Sequence, residues 1–334
     1  MGAEELKGAV NIASEPLLSH KIVSPYPAYG HITITSDGGF AFVGSSGQYL
    51  AISKYDRMAK AEWQEVLTDS RYDFAWDLIQ CSDGGFLVYG KGAFATRTTS
   101  NGKTVWRKKL GGDRKNEFRS AIETSDGDFL LFGFTTSFGV FGFHYYLVKF
   151  NSDGVMLWQK IYSGMDESKT ICGVNGKYEL QDSLKKDEHN YGIKILAGDE
   201  EQYILVGDTD KGINFLTVNL EGDVISSKLY GRLQLLNAFR NYDGSVIVWG
   251  SSCFSNSTSK TEPDFMSKML KNGIENRYLL FSIGYESSPG PSSAILSVDR
   301  DGVFQWSVNW PGEPHGLIGY SDNDSQSFLI LSHT

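Results

Sequence analysis

Ser36-Asp37-Gly38-Gly39-Phe40, Ser82-Asp83-Gly84-Gly85-Phe86 and Ser125-Asp126-Gly127-Asp128-Phe129 are three copies of one phrase, each leading into an apolar run that ends on Gly44, Gly90 or Gly133. Asp-Gly supplies the positive φ of a tight hairpin turn, and the aromatic and β-branched run after it reads as a strand. Weaker copies follow at Tyr203 to Gly207, Val246 to Gly250, Tyr278 to Ser282 and Phe328 to Leu331. The end-of-strand glycines lie 46 residues apart from Gly44 to Gly90 and 43 apart from Gly90 to Gly133 and from Gly207 to Gly250. A period of this size signals a repeat architecture.

A second element recurs between the copies. Gly102, Gly154 and Gly302 each precede a tryptophan by four residues, at Trp106, Trp158 and Trp306, and Trp63 follows Ala59 in the same way. Recurrence at one repeat position says that these tryptophans solve one packing problem rather than stack on a ligand. Each repeat therefore reads as four short antiparallel strands, about 118–123, 129–135, 145–150 and 155–161 in the third. Four strands per forty-odd residues is the signature of a β-propeller blade.

The expectation is an all-β chain forming one closed β-propeller over residues 1–334. Residues 6–23 resemble the last two strands of a blade and 316–332 the first two, so the termini are expected to share one blade and remove the open sheet edges. Two departures interrupt the period. An insertion, polar and with a short helix near 180–186, is expected at 165–190; a degenerate repeat near 232–264 is expected to have lost or shortened its outer strands. Counting that repeat as a wedge gives seven blades, the favoured number, and folding it in as an insertion gives six.

Composition agrees with this class. Thirty-seven glycines against eight prolines, with 13% aromatic residues, fit many tight turns between strands. A net charge of −9 speaks against nucleic acid as a partner, because that binding needs a concentrated basic surface. No run of eighteen apolar residues is present, so membrane insertion is not expected. The first residues, Met1-Gly2-Ala3-Glu4-Glu5-Leu6, lack a basic region and an apolar stretch. As the sequence stands the expectation is a soluble cytoplasmic protein, the alternative being an extracytoplasmic one whose export signal lies outside it. Cys81, Cys172 and Cys253 are far apart and odd in number, and read as buried thiols.

The pattern from Ser125-Asp126-Gly127 through Tyr146-Leu147-Val148-Lys149-Phe150-Asn151-Ser152-Asp153-Gly154 to Trp158-Gln159-Lys160 resembles the repeat of bacterial and archaeal surface β-propeller proteins. The similarity is strongest over 28–164 and fades after 165. It implies the propeller fold and no particular activity, since a propeller hosts many unrelated functions.

In a propeller the innermost strand of each blade lines the central channel. Counting five residues back from the Ser of each Ser-Asp-Gly, or its counterpart, gives His31, Asp77, Ser120, Lys194 and Asn237, then Met269 and Gly319. These polar residues precede apolar pairs such as Leu78-Ile79 and Ile195-Leu196, so they belong to strands that are otherwise buried. Either they solvate the channel and pair with neighbouring blades, or they form a ligand site. Trp76, Arg119 and His315 fall at or just before the channel entrance and add a stacking surface, an anion donor and a titratable group. The expected ligand is a small polar or anionic molecule.

One loop stands out. Phe138, Phe141 and Phe143 alternate with glycines between the second and third strands of the third blade. They either contact a protein partner or fold over the blade.

No metal and no cofactor is expected. None of the six histidines has a second ligand at metal spacing, Asp299-Arg300-Asp301-Gly302 falls where other repeats place a turn, and there is no phosphate loop or nucleophile elbow. The reading is a non-catalytic binding or scaffolding module, contacting ligand or protein at the channel mouth and blade loops. The alternative is an enzyme with Asp77 or His31 as base and Lys194 stabilising negative charge.

Overall fold

The computed structural model describes residues 29–45, 49–58, 60–68, 74–163, 170–172, 188–230, 234–240, 246–252, 292–298, 304–311, 313–322 and 325–333. They form strands and turns. The first sheet holds β1 (Tyr29–Ile34), β2 (Phe40–Ser45), β3 (Leu50–Tyr55) and β4 (Ala61–Thr68) in sequence order. The second holds β5 (Ala75–Gln80), β6 (Phe86–Gly90), β7 (Phe94–Thr98) and β8 (Thr104–Lys109). In the third, β9 (Asn116–Glu123), β10 (Phe129–Thr135), β11 (Gly142–Phe150) and β12 (Met156–Tyr162) run in the same order. Two short strands from the expected insertion join it: β13 (Thr170–Cys172) pairs with β12, and β14 (Glu188–His189) pairs in parallel with β11. The helix expected near 180–186 lies outside the described residues. The fourth sheet is β15 (Tyr191–Ala197), β16 (Tyr203–Thr209), β17 (Gly212–Val218) and β18 (Val224–Tyr230).

The fifth sheet begins within 232–264, and residues 253–264 lie outside the described residues. In this sheet β19 (Gln234–Arg240) and β20 (Val246–Ser252) are continued by β21 (Ser292–Val298) and β22 (Phe304–Pro311), so the repeat keeps four strands. The outer pair comes from beyond residue 290; residues 253–291, with the repeat copy expected at Tyr278 to Ser282, lie outside the described residues. A two-stranded sheet, β23 (Glu313–Asp322) with β24 (Ser325–His333), follows. Its proposed partner, 6–23, lies outside the described residues.

Each Ser-Asp-Gly turn is fixed by chemistry that explains its sequence. Gly38, Gly84 and Gly127 take φ near +80°, the left-handed region glycine enters without a Cβ penalty. The Asp closes an ion pair with a cation on the third strand of its own sheet: Asp37 with Lys54 at 2.8 Å, Asp83 with Arg97, and Asp126 with Lys149 at 3.0 Å. Those three cations are buried, so the turn carboxylate supplies the counter-charge that burial demands. The Ser reaches the next sheet. Ser36 N donates to Gln80 Oε1 at 2.7 Å, and Ser82 N and Oγ donate to Glu123.

Consecutive sheets share their cores. Val43, Leu50 and Ile52 of the first pack with Leu78, Phe86 and Phe94 of the second; Tyr89 and Ala95 of the second pack with Phe118, Phe129 and Tyr146 of the third. Burying each such side chain fully contributes about 1.5–3 kcal/mol. The turn glycines before the fourth strands of the second, third and fourth sheets also have their reason. A Cβ on Gly102 would sit 2.5 Å from the Trp63 ring, on Gly154 2.6 Å from Trp106, and on Gly222 2.8 Å from Trp158. Each tryptophan thus lies on a glycine turn of the following sheet, and Trp106 Nε1 also donates to Ser152 O at 2.8 Å. The packing role read from their recurrence is what these three perform.

The first strands of successive sheets pack side by side, β1 on β5, β5 on β9, β9 on β15 and β15 on β19. Ile32 breaks the sequence. It is 53% exposed, while Leu78, Ala121, Ile195 and Ala238, which hold the same register on their own first strands, are each 8% exposed or less.

Candidate functional site

The expected ring residues share one backbone register. His31 lies opposite Val43, Asp77 opposite Tyr89, Ser120 opposite Phe132, Lys194 opposite Val206 and Asn237 opposite Trp249. In every one of these sheets except the first, a β-bulge falls immediately before the ring residue, at Trp76, Arg119, Ile193 and Leu236. A bulge adds an unpaired residue and re-aims the strand, which places two consecutive side chains at the rim. The glycine ending the second strand permits it: a Cβ on Gly90 would lie 2.0 Å from Phe74 O, and one on Gly133 2.0 Å from Glu117 O. The last sheet repeats the feature. The bulge in β23 falls at His315, so Gly316 takes the ring register, not Gly319 as counting from the turn suggested. Met269 lies outside the described residues.

The structure brings four of the expected residues together. His31 feels Asp77, Arg119 and Lys194; burial holds its imidazole below the ordinary value, Asp77 opposes this, and the two cations add to it. Arg119 lays its guanidinium on the Trp76 ring, 3.6 Å from the centroid, and Phe74 meets the same indole edge-on at 4.8 Å. Arg119 Nε is 2.9 Å from Glu117 Oε2, an ion pair without hydrogen-bond alignment. Burial lowers the Arg119 pKa and Glu117 raises it. Asp77 Oδ1 accepts a hydrogen bond from Leu78 N, and Asn237 Oδ1 accepts the equivalent one from Ala238 N, both at 2.8 Å.

Tyr89, Tyr191 and Asp208 escaped the sequence reading. Tyr89 and the expected ring residue Ser120 are fully buried, and neither hydroxyl closes a well-aligned hydrogen bond. The Tyr89 hydroxyl sits among Asp77, Ser120 and the Ala121 backbone, and burial drives its pKa well up. Tyr191 stacks on Phe143 at 4.4 Å and meets Phe134 edge-on at 5.2 Å. Asp208, opposite Tyr191 in register, is pushed up to about 6 by burial, against hydrogen bonds from the Leu235 and Thr209 amides. The only sequence signal for Asp208 is its place directly after Gly207.

The phenylalanine loop is mostly folded inward. Phe138 packs on Tyr146 with centroids 5.6 Å apart, Phe143 joins the Tyr191 stack, and Phe141 alone of the three is largely exposed, at 54%. His315 is placed by backbone register only. Among the described residues no group of three or more His, Cys, Asp or Glu side chains is arranged to hold a metal ion. No helix among them is long and apolar enough to cross a membrane. Cys81 is buried, and burial pushes its thiol up to about 12.

No family model matches the chain, and no curated protein matches it in sequence. Among solved structures it is similar to the Neurospora crassa Pan2 WD40 domain, at 9% identity and a TM-score of 0.49, over 91% of this chain and 78% of that one. It is also similar to BBS1N, solved in complex with ARL6DN, at 12% identity and a TM-score of 0.47, over 92% of this chain and 75% of that one. A protein of unknown function from Bacteroides caccae shares 12% identity at a TM-score of 0.35, over 87% of this chain and 98% of that one.

Proposed function

We propose that this chain is a non-catalytic binding module, built as a closed β-propeller of six wedges, that takes a small polar ligand at the bulged ends of its innermost strands. The observation that carries the binding site is the shared ring register of His31, Asp77 and Lys194 on first strands packed side by side, with Arg119 laid on the Trp76 ring one residue before that register. Six wedges, rather than seven, are supported by the fifth sheet, in which β19 and β20 are completed by β21 and β22. Closure is supported by Ile32: its bare face asks for the cover that neighbouring sheets give Leu78 and Ile195, and 6–23 with β23 and β24 would supply it.

The enzyme alternative would use the same groups. Asp77 already accepts the Leu78 amide, and the Tyr89 hydroxyl beside it is fully buried, an arrangement that supports binding over turnover. A protein partner is the second reading, favoured by the exposed Phe141 ring at a loop tip. The test is a thermal-shift screen of small polar metabolites against the chain and its Asp77→Asn/Lys194→Met double variant. A ligand bound only by the native state raises the melting temperature. The expected result is a shift in the parent that the double variant loses; equal shifts in both would remove the channel site.

A further inference from the structure

Asp77 and Lys194 are half-buried, carry opposite charges and lie on one ring, yet among the described residues neither has an ion-pair partner. A partly desolvated charge without a counter-charge is costly, so each favours a ligand that brings one. Arg119 is prepared in a different way. Its guanidinium is held flat by Trp76 and its Nε is engaged by Glu117, while its terminal nitrogens form no hydrogen bond among the described residues. A guanidinium fixed in this manner presents a fork for a planar carboxylate.

Resting on the binding reading above, we infer that the site takes a zwitterion of the α-amino-acid class, its carboxylate between Arg119 and Lys194 and its ammonium on Asp77. Charge balance selects this class. Arg119 is already matched by Glu117, so the unmatched charges on the ring are one carboxylate, Asp77, and one ammonium, Lys194, and a phosphate dianion would face both carboxylates. Burial keeps the His31 imidazole below its ordinary value, so it adds no third cation at neutral pH. A simple carboxylate would leave Asp77 unmatched, and a simple amine would leave Lys194 unmatched. The fully buried Tyr89 and Ser120 hydroxyls, both without a well-aligned partner, give the Asp77 side of the site further polar capacity.

Isothermal titration of the full chain with individual L-α-amino acids tests this. For the one that binds most tightly, its deaminated acid and decarboxylated amine serve as matched probes, with inorganic phosphate alongside. The expected result is that loss of either charged group weakens binding by about tenfold or more. Asp77→Asn should erase the preference for the amino acid over its deaminated acid, and Lys194→Met, on a different strand, should erase the preference over its decarboxylated amine. Far-ultraviolet circular dichroism of both variants confirms that they fold. The inference is overturned if no amino acid binds, if phosphate binds as tightly, or if both preferences survive the substitutions. If phosphate or an uncharged metabolite binds and the Asp77→Asn/Lys194→Met variant loses it, the zwitterion falls and the binding module stands. If no ligand responds to that double variant, both fall.

Discussion

The two ends of these sheets treat buried polar groups in opposite ways. At the end carrying the Ser-Asp-Gly turns, every one of the buried cations Lys54, Arg97, Lys149 and Lys160 meets a carboxylate. At the bulged end, the Trp76 indole nitrogen and the Tyr89, Ser120 and Tyr145 hydroxyls have no well-aligned hydrogen bond. A buried polar group left unmatched costs about 1–3 kcal/mol, so the difference is not neutral. It teaches that the repeat spends its local sequence rules on one end, where the structure is held, and relaxes them at the other, where chemistry can vary from sheet to sheet.

The strongest way to break this contrast is at the turn end. Trp106→Ala removes the ring that packs on Gly154, Phe129 and Phe150, and a Trp→Ala change in a core costs about 3–5 kcal/mol. Urea unfolding should show that loss as a lower midpoint, and a loss under 1 kcal/mol would mean the tryptophan latch does not hold the sheets together. Gly133→Ala attacks the bulged end, where the added Cβ meets the Glu117 carbonyl at 2.0 Å and the backbone must move. Overpacking of this kind costs about 1–3 kcal/mol, and the same unfolding experiment reads it.

The smallest effect is a pH dependence that differs in sign between the ends. Lys54 and Lys160 hold Asp37 and Asp223 below the ordinary carboxylate value, so the stability these pairs confer is present above that value and lost as pH falls. Asp208 runs the other way. Its folded pKa of about 6 lies above its unfolded value, so the folded chain binds this proton more tightly and stability declines as pH rises through roughly 4 to 6. Between pH 4 and pH 7 the parent should lose about 1–2 kcal/mol relative to Asp208→Asn, after discounting for partial exposure. Parallel pH profiles for the two chains would show that Asp208 is not strained.

What the sequence disclosed follows the same division. The Asp-Gly turns and the Gly-to-Trp interval were legible because each is set by neighbours close in the chain and repeats unchanged. Counting back from the turn also found His31, Asp77, Lys194 and Asn237, since strand length is constant from the turn to the ring. The count failed in β23, where Gly316 and not Gly319 holds the register. Bulges at Trp76 and Arg119 left no mark that spacing alone reveals; Glu117 gains its role from Arg119 across that bulge, and Tyr191 and Asp208 draw partners from neighbouring sheets. The fifth sheet shows the same limit: spacing along the chain does not reveal that β20 pairs with a strand that begins only at Ser292.

The tryptophan that lies on the following sheet's glycine turn is a contact with a direction. The second and third sheets each offer a ring on one side and receive one on the other, which is the head-to-tail geometry of subunits in a cyclic oligomer, here threaded on one chain. Such contacts either run on without end or close when the rotations sum to a full turn. In a closed ring the number of sheets would be set by the angle that each such junction imposes, and a duplicated repeat of about 43 residues would then have to be accommodated by changing that angle at every junction at once.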